Sequence, residues 1–161
     1  MVEKTLKWPL VHGNLLPTWI SPSFKVLILG DAAHAMLPYM AQGAAMAVED
    51  GAALAVVLNA VEDRFSIPLA LKVWETERLR RTSQMQDASQ LNSILLHFPD
   101  GPEQEARDEA MRPEVEGKHF LFSPNLYSDP ITQQWAHGYD AEAEVQRAWD
   151  SDRIRVPDIM L

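Results

Sequence analysis

No cysteine occurs in the 161 residues, which excludes disulfides, thiolate catalysis and cysteine-ligated zinc and leaves the redox compartment open. Glycine is scarce. The seven, at 13, 30, 43, 51, 101, 117 and 138, never fall as Gly-x-Gly, so the phosphate-cradling turn of a dinucleotide fold is not encoded. No uncharged apolar run reaches the roughly 18 residues that a membrane span needs; the best candidate is interrupted by Glu49 and Asp50. The opening Met1-Val-Glu-Lys-Thr-Leu-Lys-Trp8 has no apolar core behind a basic start, so no secretory signal is read and a cytoplasmic location is expected. Positive charge is in deficit, 14 Lys and Arg against 23 Asp and Glu. The resulting net charge of −9 disfavours nucleic acid and anionic lipid as partners.

What is present is apolar material. A hydrophobic content of 47% with five Trp is enough to offset the ordering entropy of one core, so residues 1–161 are expected to form a single domain. Lys25-Val-Leu-Ile-Leu29, closed by Gly30-Asp31, reads as a short buried strand that delivers Asp31 to a loop. Residues 42–61 are Ala-rich and apolar on most faces, the pattern of a buried helix, and Gly51 within it suggests close packing. Ser66 and Pro68 open a long helix to about His97, with a break expected near Thr82-Ser83. Residues 103–112 form a charged surface helix, Asp129-Pro130 starts a helix that ends near Gly138, and Asp140 caps another from Ala141 to Trp149. The tail 151–161 is expected to be extended. The result is a mainly α fold with a short strand element, divided into a strand-loop-helix at 25–61 and a helical region at 66–149.

The stretch Leu29-Gly-Asp-Ala-Ala-His34-Ala-Met-Leu-Pro38-Tyr-Met-Ala-Gln42-Gly-Ala-Ala-Met46, continuing to Leu54, closely resembles the second flavin-binding fingerprint of the group A FAD-dependent monooxygenases. Lys7-Trp8-Pro9-Leu10, Trp74-Glu75 with Arg78 and Arg81-Thr82-Ser83, His97 to Glu105, and Gly138-Tyr139-Asp140-Ala141 are similar to fungal salicylate hydroxylase-like members. The likeness covers residues 7–149. It implies the C-terminal part of an α/β FAD-binding (PHBH-like) monooxygenase fold, without the N-terminal dinucleotide portion. FAD is the implied cofactor and NAD(P)H the implied electron donor, with one oxygen atom transferred to a small hydrophobic or aromatic substrate such as a phenol.

By the same resemblance, Asp31 binds the ribityl chain, Gly30 admits the close backbone, and Pro38 lies in the loop that passes the ring. Gln42, Gly43, Ala44 and Ala45 open the helix whose free amides face the ring's pyrimidine edge, where reduction gathers negative charge. Met36, Leu37, Tyr39 and Met40 are candidates for the substrate pocket. No catalytic residue and no metal ligand is indicated.

A second functional class stays open: a flavin-free isomerase, cyclase or small-molecule-binding protein of secondary metabolism that uses the same groove. The apolar helix also needs cover, which self-association or a complementing flavoprotein chain would supply. Among single residues, His34 is read as hydrogen-bonded within its loop, with no partner indicated. Adjacent helical residues Glu49 and Asp50 point about 100° apart and cannot share a proton, so capping or a buried ion pair is expected. Arg78, Arg80 and Arg81 are expected to pair with Glu75 and Glu77 on a solvated face.

Overall fold

A computed structural model describes residues 4–155, with side chains to 152. The chain is mainly helical: a one-turn helix α1 (Asp31–His34), a 3₁₀ turn at Pro38–Met40, then α2 (Gly43–Asn59), α3 (Ile67–Leu96), α4 (Pro102–Val115), α5 (Pro130–His137) and α6 (Ala141–Arg155). The expected strand at 25–29 does not form a ladder. Among the described residues only one antiparallel bridge occurs, Ile20 with Leu27, flanked by Ile28 N–H to Trp19 O at 3.0 Å and Ser21 N–H to Val26 O at 2.9 Å. A strand needs a neighbour on at least one edge, and among the described residues only 19–21 lie alongside.

The local signals hold at α5 and α6, whereas Ser66 precedes α3 without a side-chain capping bond, its hydroxyl donating to Asp63 instead. Asp129 accepts from Thr132 N–H at 2.8 Å with Pro130 at the first helical position, and Asp140 accepts from Ala143 N–H at 2.9 Å. α3 runs 30 residues without the break expected at Thr82-Ser83. Both hydroxyls satisfy carbonyls of their own helix, Thr82 to Arg78 O at 2.8 Å and Ser83 to Arg80 O at 3.0 Å, so neither competes with the ladder. α6 continues through 155, past the expected end at Trp149; the part of the expected extended tail at 156–161 lies outside the described residues. α4 buries no residue, as its charge pattern demands.

α2, α3 and α6 pack against one another pairwise. Their shared core holds Ala53 and Val57 of α2, Ala70, Leu71, Val73 and Trp74 of α3, and Val145 and Trp149 of α6, closed by Trp19 and Ile20. A second apolar cluster joins Met40, Met46, Met85 and Ala136 under the 3₁₀ turn. α2 is not buried on most faces. It buries one stripe, Met46, Asp50, Ala53 and Val57, the i, i+4, i+7, i+11 series of a helix packed on one side, while Val48 is 72% exposed. Nor does Gly51 serve close packing, since a Cβ there would meet nothing within 4 Å.

Candidate functional site

The fingerprint segment forms a corner between α1 and α2. Gly30 has φ +60°, and a Cβ on it would come within 3.3 Å of the Ala47 methyl, so the left-handed turn and the closeness of α2 both favour glycine. Its carbonyl accepts the N–H groups of Ala33 and His34, each at 2.9 Å, which makes α1 a single turn beginning at Asp31. The Asp31 side chain is exposed. Its Oδ1 stands 3.9 Å from where a Gly43 Cβ would sit, so the carboxylate lies beside the first residue of α2.

That end of α2 is open. Gln42, the N-cap residue, makes no side-chain capping bond; its carbonyl takes Met46 N–H at 2.9 Å, and its buried side chain lies 3.4 Å from His137 Nδ1. The N–H groups of Gly43, Ala44 and Ala45 precede the first intrahelical bond, and Ala44 and Ala45 are exposed. Beside them is a pocket of about 260 Å³, walled by Asp31, Ala35, Met36 and Pro38 and, opposite, by Trp8 to Val11. Gly13 N–H to Ala35 O at 2.9 Å ties the opposite wall down, and Gln86 of α3 donates to Ala35 O at 3.0 Å.

Of the remaining candidates, Leu37 and Tyr39 are half-buried. The Tyr39 ring meets His97 edge-on at 5.3 Å, and its carbonyl accepts from Asn92 at 2.7 Å. Met40 is 3% exposed, inside the second apolar cluster.

Behind the corner is a buried polar lattice. Asp50 accepts from Gly30 N–H at 3.0 Å, faces His34 Nε2 at 2.6 Å and takes Arg78 Nε at 2.8 Å. Burial acts to raise the Asp50 pKa, but the bonds from His34, Gly30 and Arg78 outweigh it and hold the carboxyl below its ordinary value. Glu49 pairs with Arg78 at 2.8 Å and Arg81 at 3.3 Å.

The expected buried ion pair at Glu49 and Asp50 is thus present, and His34 has a partner that local sequence could not reveal. The expectation for the arginines is met only by Arg80, which binds Glu77 at 2.8 Å. Arg78 and Arg81 are buried and turn to α2, because they lie on the face of α3 that packs against it. The sequence signal was present in their spacing: positions 71, 74, 78, 81, 82 and 85 mark the buried stripe of α3.

The residues fit one part of a flavin. An exposed carboxylate suits hydroxyl groups, uncapped amides suit an electron-rich ring edge, and the Gly30 corner gives the backbone a close approach. Nothing among the described residues provides a pyrophosphate cradle of the Gly-x-Gly type.

Residues 21–89 match the family model of the FAD binding domain. The chain is 39% identical, over 91% of its residues, to the FAD-dependent monooxygenase OpS4 of Beauveria bassiana (strain ARSEF 2860), and spans 34% of that protein's length. Its structure resembles the crystal structure of native FqzB, with a TM-score of 0.67 and 28% identity, covering 94% of this chain and 31% of that one. It also resembles a salicylate hydroxylase substrate complex, with a TM-score of 0.58 and 28% identity over 83% of this chain and 29% of that one. Over most of its length the chain is therefore similar to FAD-dependent monooxygenases, and it spans about a third of the length of the relatives it matches.

Proposed function

We propose that this chain builds the ring side of an FAD site in a cytoplasmic monooxygenase that draws electrons from NAD(P)H and hydroxylates a small aromatic or hydrophobic substrate. The observation that carries the reading is the juxtaposition of the exposed Asp31 carboxylate with the uncapped amides of Gly43, Ala44 and Ala45. When bound, the flavin supplies the redox and oxygen chemistry. The residues of this chain hold and polarise it. Asp31 accepts hydrogen bonds from the ribityl hydroxyls. The α2 dipole and amides stabilise negative charge at the pyrimidine edge. Pro38 borders the ring, and Met36, Leu37 and Tyr39 offer apolar surface for the substrate, with Met40 supporting them from beneath. The pyrophosphate and adenosine contacts fall to a dinucleotide fold elsewhere, in further sequence or in a complementing flavoprotein chain.

The test is the visible spectrum of the protein after FAD is added and unbound cofactor removed by gel filtration, for wild type and Asp31→Ala. Asp31 is exposed, so alanine should leave the fold intact. The expected result is retained flavin in the wild type and an affinity lower by roughly tenfold or more in Asp31→Ala, the loss of hydrogen bonds to a charged group. Equal retention by both would refute the role of Asp31. A folded wild type that stays colourless even when a chain carrying the dinucleotide fold is supplied would sink the flavin reading and favour the flavin-free isomerase, cyclase or binding protein.

A further inference from the structure

We propose that Asp50, working through His34, is the positioning residue that keeps Asp31 in register with the amides at the start of α2. Asp50 stands on α2, within two turns of those amides. Its Oδ2 reaches Gly30 N–H at 3.0 Å and His34 Nε2 at 2.6 Å. Gly30 precedes the α1 turn and His34 ends it, with Asp31 between them. One carboxylate oxygen therefore fastens both ends of the turn to the helix whose N-terminus Asp31 faces. The other oxygen is fixed by Arg78 Nε at 2.8 Å, and the same guanidinium bonds Glu49 at 2.8 Å and Met46 O at 3.2 Å, so the carboxylate cannot swing away. His34, Asp50 and Arg78 are all buried. His34 Nδ1 is buried without a partner, which assigns the ring proton to Nε2 and makes it the donor to Asp50.

Two halves of one candidate site, a turn and a helix terminus that are separate in sequence, thus share a single fastening. That Asp31 serves a flavin rests on the reading above; the fastening itself does not. His34→Leu keeps much of the ring's volume and loses the donor, whereas His34→Gln restores an N–H near the Nε2 position. A role in packing alone would leave these variants alike, and positioning through the hydrogen bond separates them.

The measurement is amide hydrogen exchange of residues 30–34 by mass spectrometry, alongside FAD retention, in both variants and wild type. His34→Leu is expected to speed exchange there by roughly tenfold to a hundredfold, the range for losing a hydrogen bond to a charged group, with the middle of α3 unchanged. His34→Gln returns exchange toward wild type, and flavin affinity follows the same order. Equal exchange in the two variants overturns the proposal. Separated exchange in a protein that binds no flavin even with a chain carrying the dinucleotide fold supplied upholds the fastening and refutes the flavin reading instead. Should His34→Leu not fold, His34→Phe serves: it keeps a flat ring in the same place and carries no donor to Asp50, and exchange at residues 30–34 equal to that of His34→Gln would again overturn the proposal.

Discussion

Truncating Arg81 to alanine removes a guanidinium that is 1% exposed and holds three things at once. It donates to the carbonyls of Trp135 and Ala136 at 3.2 and 2.8 Å, so it closes the C-terminal end of α5. It pairs with Glu49 at 3.3 Å, and it lies 4.3 Å from the centre of the Tyr139 ring. Glu49 keeps Arg78 in the variant, so the loss is dominated by the two carbonyls, at about 1–3 kcal/mol each when a buried acceptor loses its donor. The ring contact adds about 0.5–2 kcal/mol. These contributions span about 2.5–8 kcal/mol; because the Trp135 carbonyl is only part-buried, the lower part of that span, about 3–5 kcal/mol, is expected, in line with breaking a buried ion pair and a large share of the roughly 5–15 kcal/mol that holds a domain of ordinary stability. Urea unfolding followed by helical circular dichroism and Trp fluorescence measures it. With a slope of about 2 kcal/mol per molar, the midpoint falls by about 2 M. Arg81→Lys offers one compact ammonium instead of a planar fork and should lie between. A midpoint shift under roughly 0.5 M in Arg81→Ala, about 1 kcal/mol at that slope, would refute the idea that this side chain holds α5 to the helical core.

Two further outcomes are expected. Asp50 and Glu75 both have carboxyl pKa values below their ordinary ones despite burial, Asp50 through His34, Gly30 and Arg78, and Glu75 through Lys72, Thr18 and Trp19. Their contribution is therefore full above the unfolded values, roughly 4, and is lost as pH falls through the lower folded values. Asp50→Asn and Glu75→Gln should each flatten this acid limb in a series of urea melts, and an unchanged limb would refute the assignment. Gly51→Ala should raise stability by about 0.5–1 kcal/mol, since the position is helical and its Cβ would meet nothing within 4 Å; thermal unfolding that shows a loss would count against that geometry.

The helices were legible because their ends are written locally. Asp129 with Pro130, and Asp140, each act on the backbone within a turn. The corner at Gly30 and Asp31 was legible through resemblance, and the positive φ of Gly30 gives it a physical reason. The buried lattice was not. His34 and Asp50 are 16 residues apart, Asp50 and Arg78 are 28 apart, and nothing short-range says that a histidine in a turn and an arginine in a charged helix will share one carboxylate. The strand at 25–29 failed for a related cause, because β-propensity describes a segment while a ladder requires a neighbour. Val48 and the rest of the exposed side of α2 misled in the opposite direction, since apolar composition does not state which side finds cover.

The uninterrupted length of α3 has a consequence for how the gene can change. Glu75 receives the N–H groups of Trp19 and Ile20, Arg78 meets Asp50, Arg81 holds α5, Gln86 takes Ala35 and Asn92 takes Tyr39. These partners come from four separate stretches, and one rod fixes the angular phase of all of them. A single codon inserted after Arg78 would rotate every later contact by about 100° while leaving the earlier ones in place. Point substitutions along α3 are paid for one contact at a time, whereas a frame-preserving insertion or deletion dephases half the molecule; length variation among descendants of this sequence should therefore collect in the loops at 97–101 and 116–129 and spare the rod.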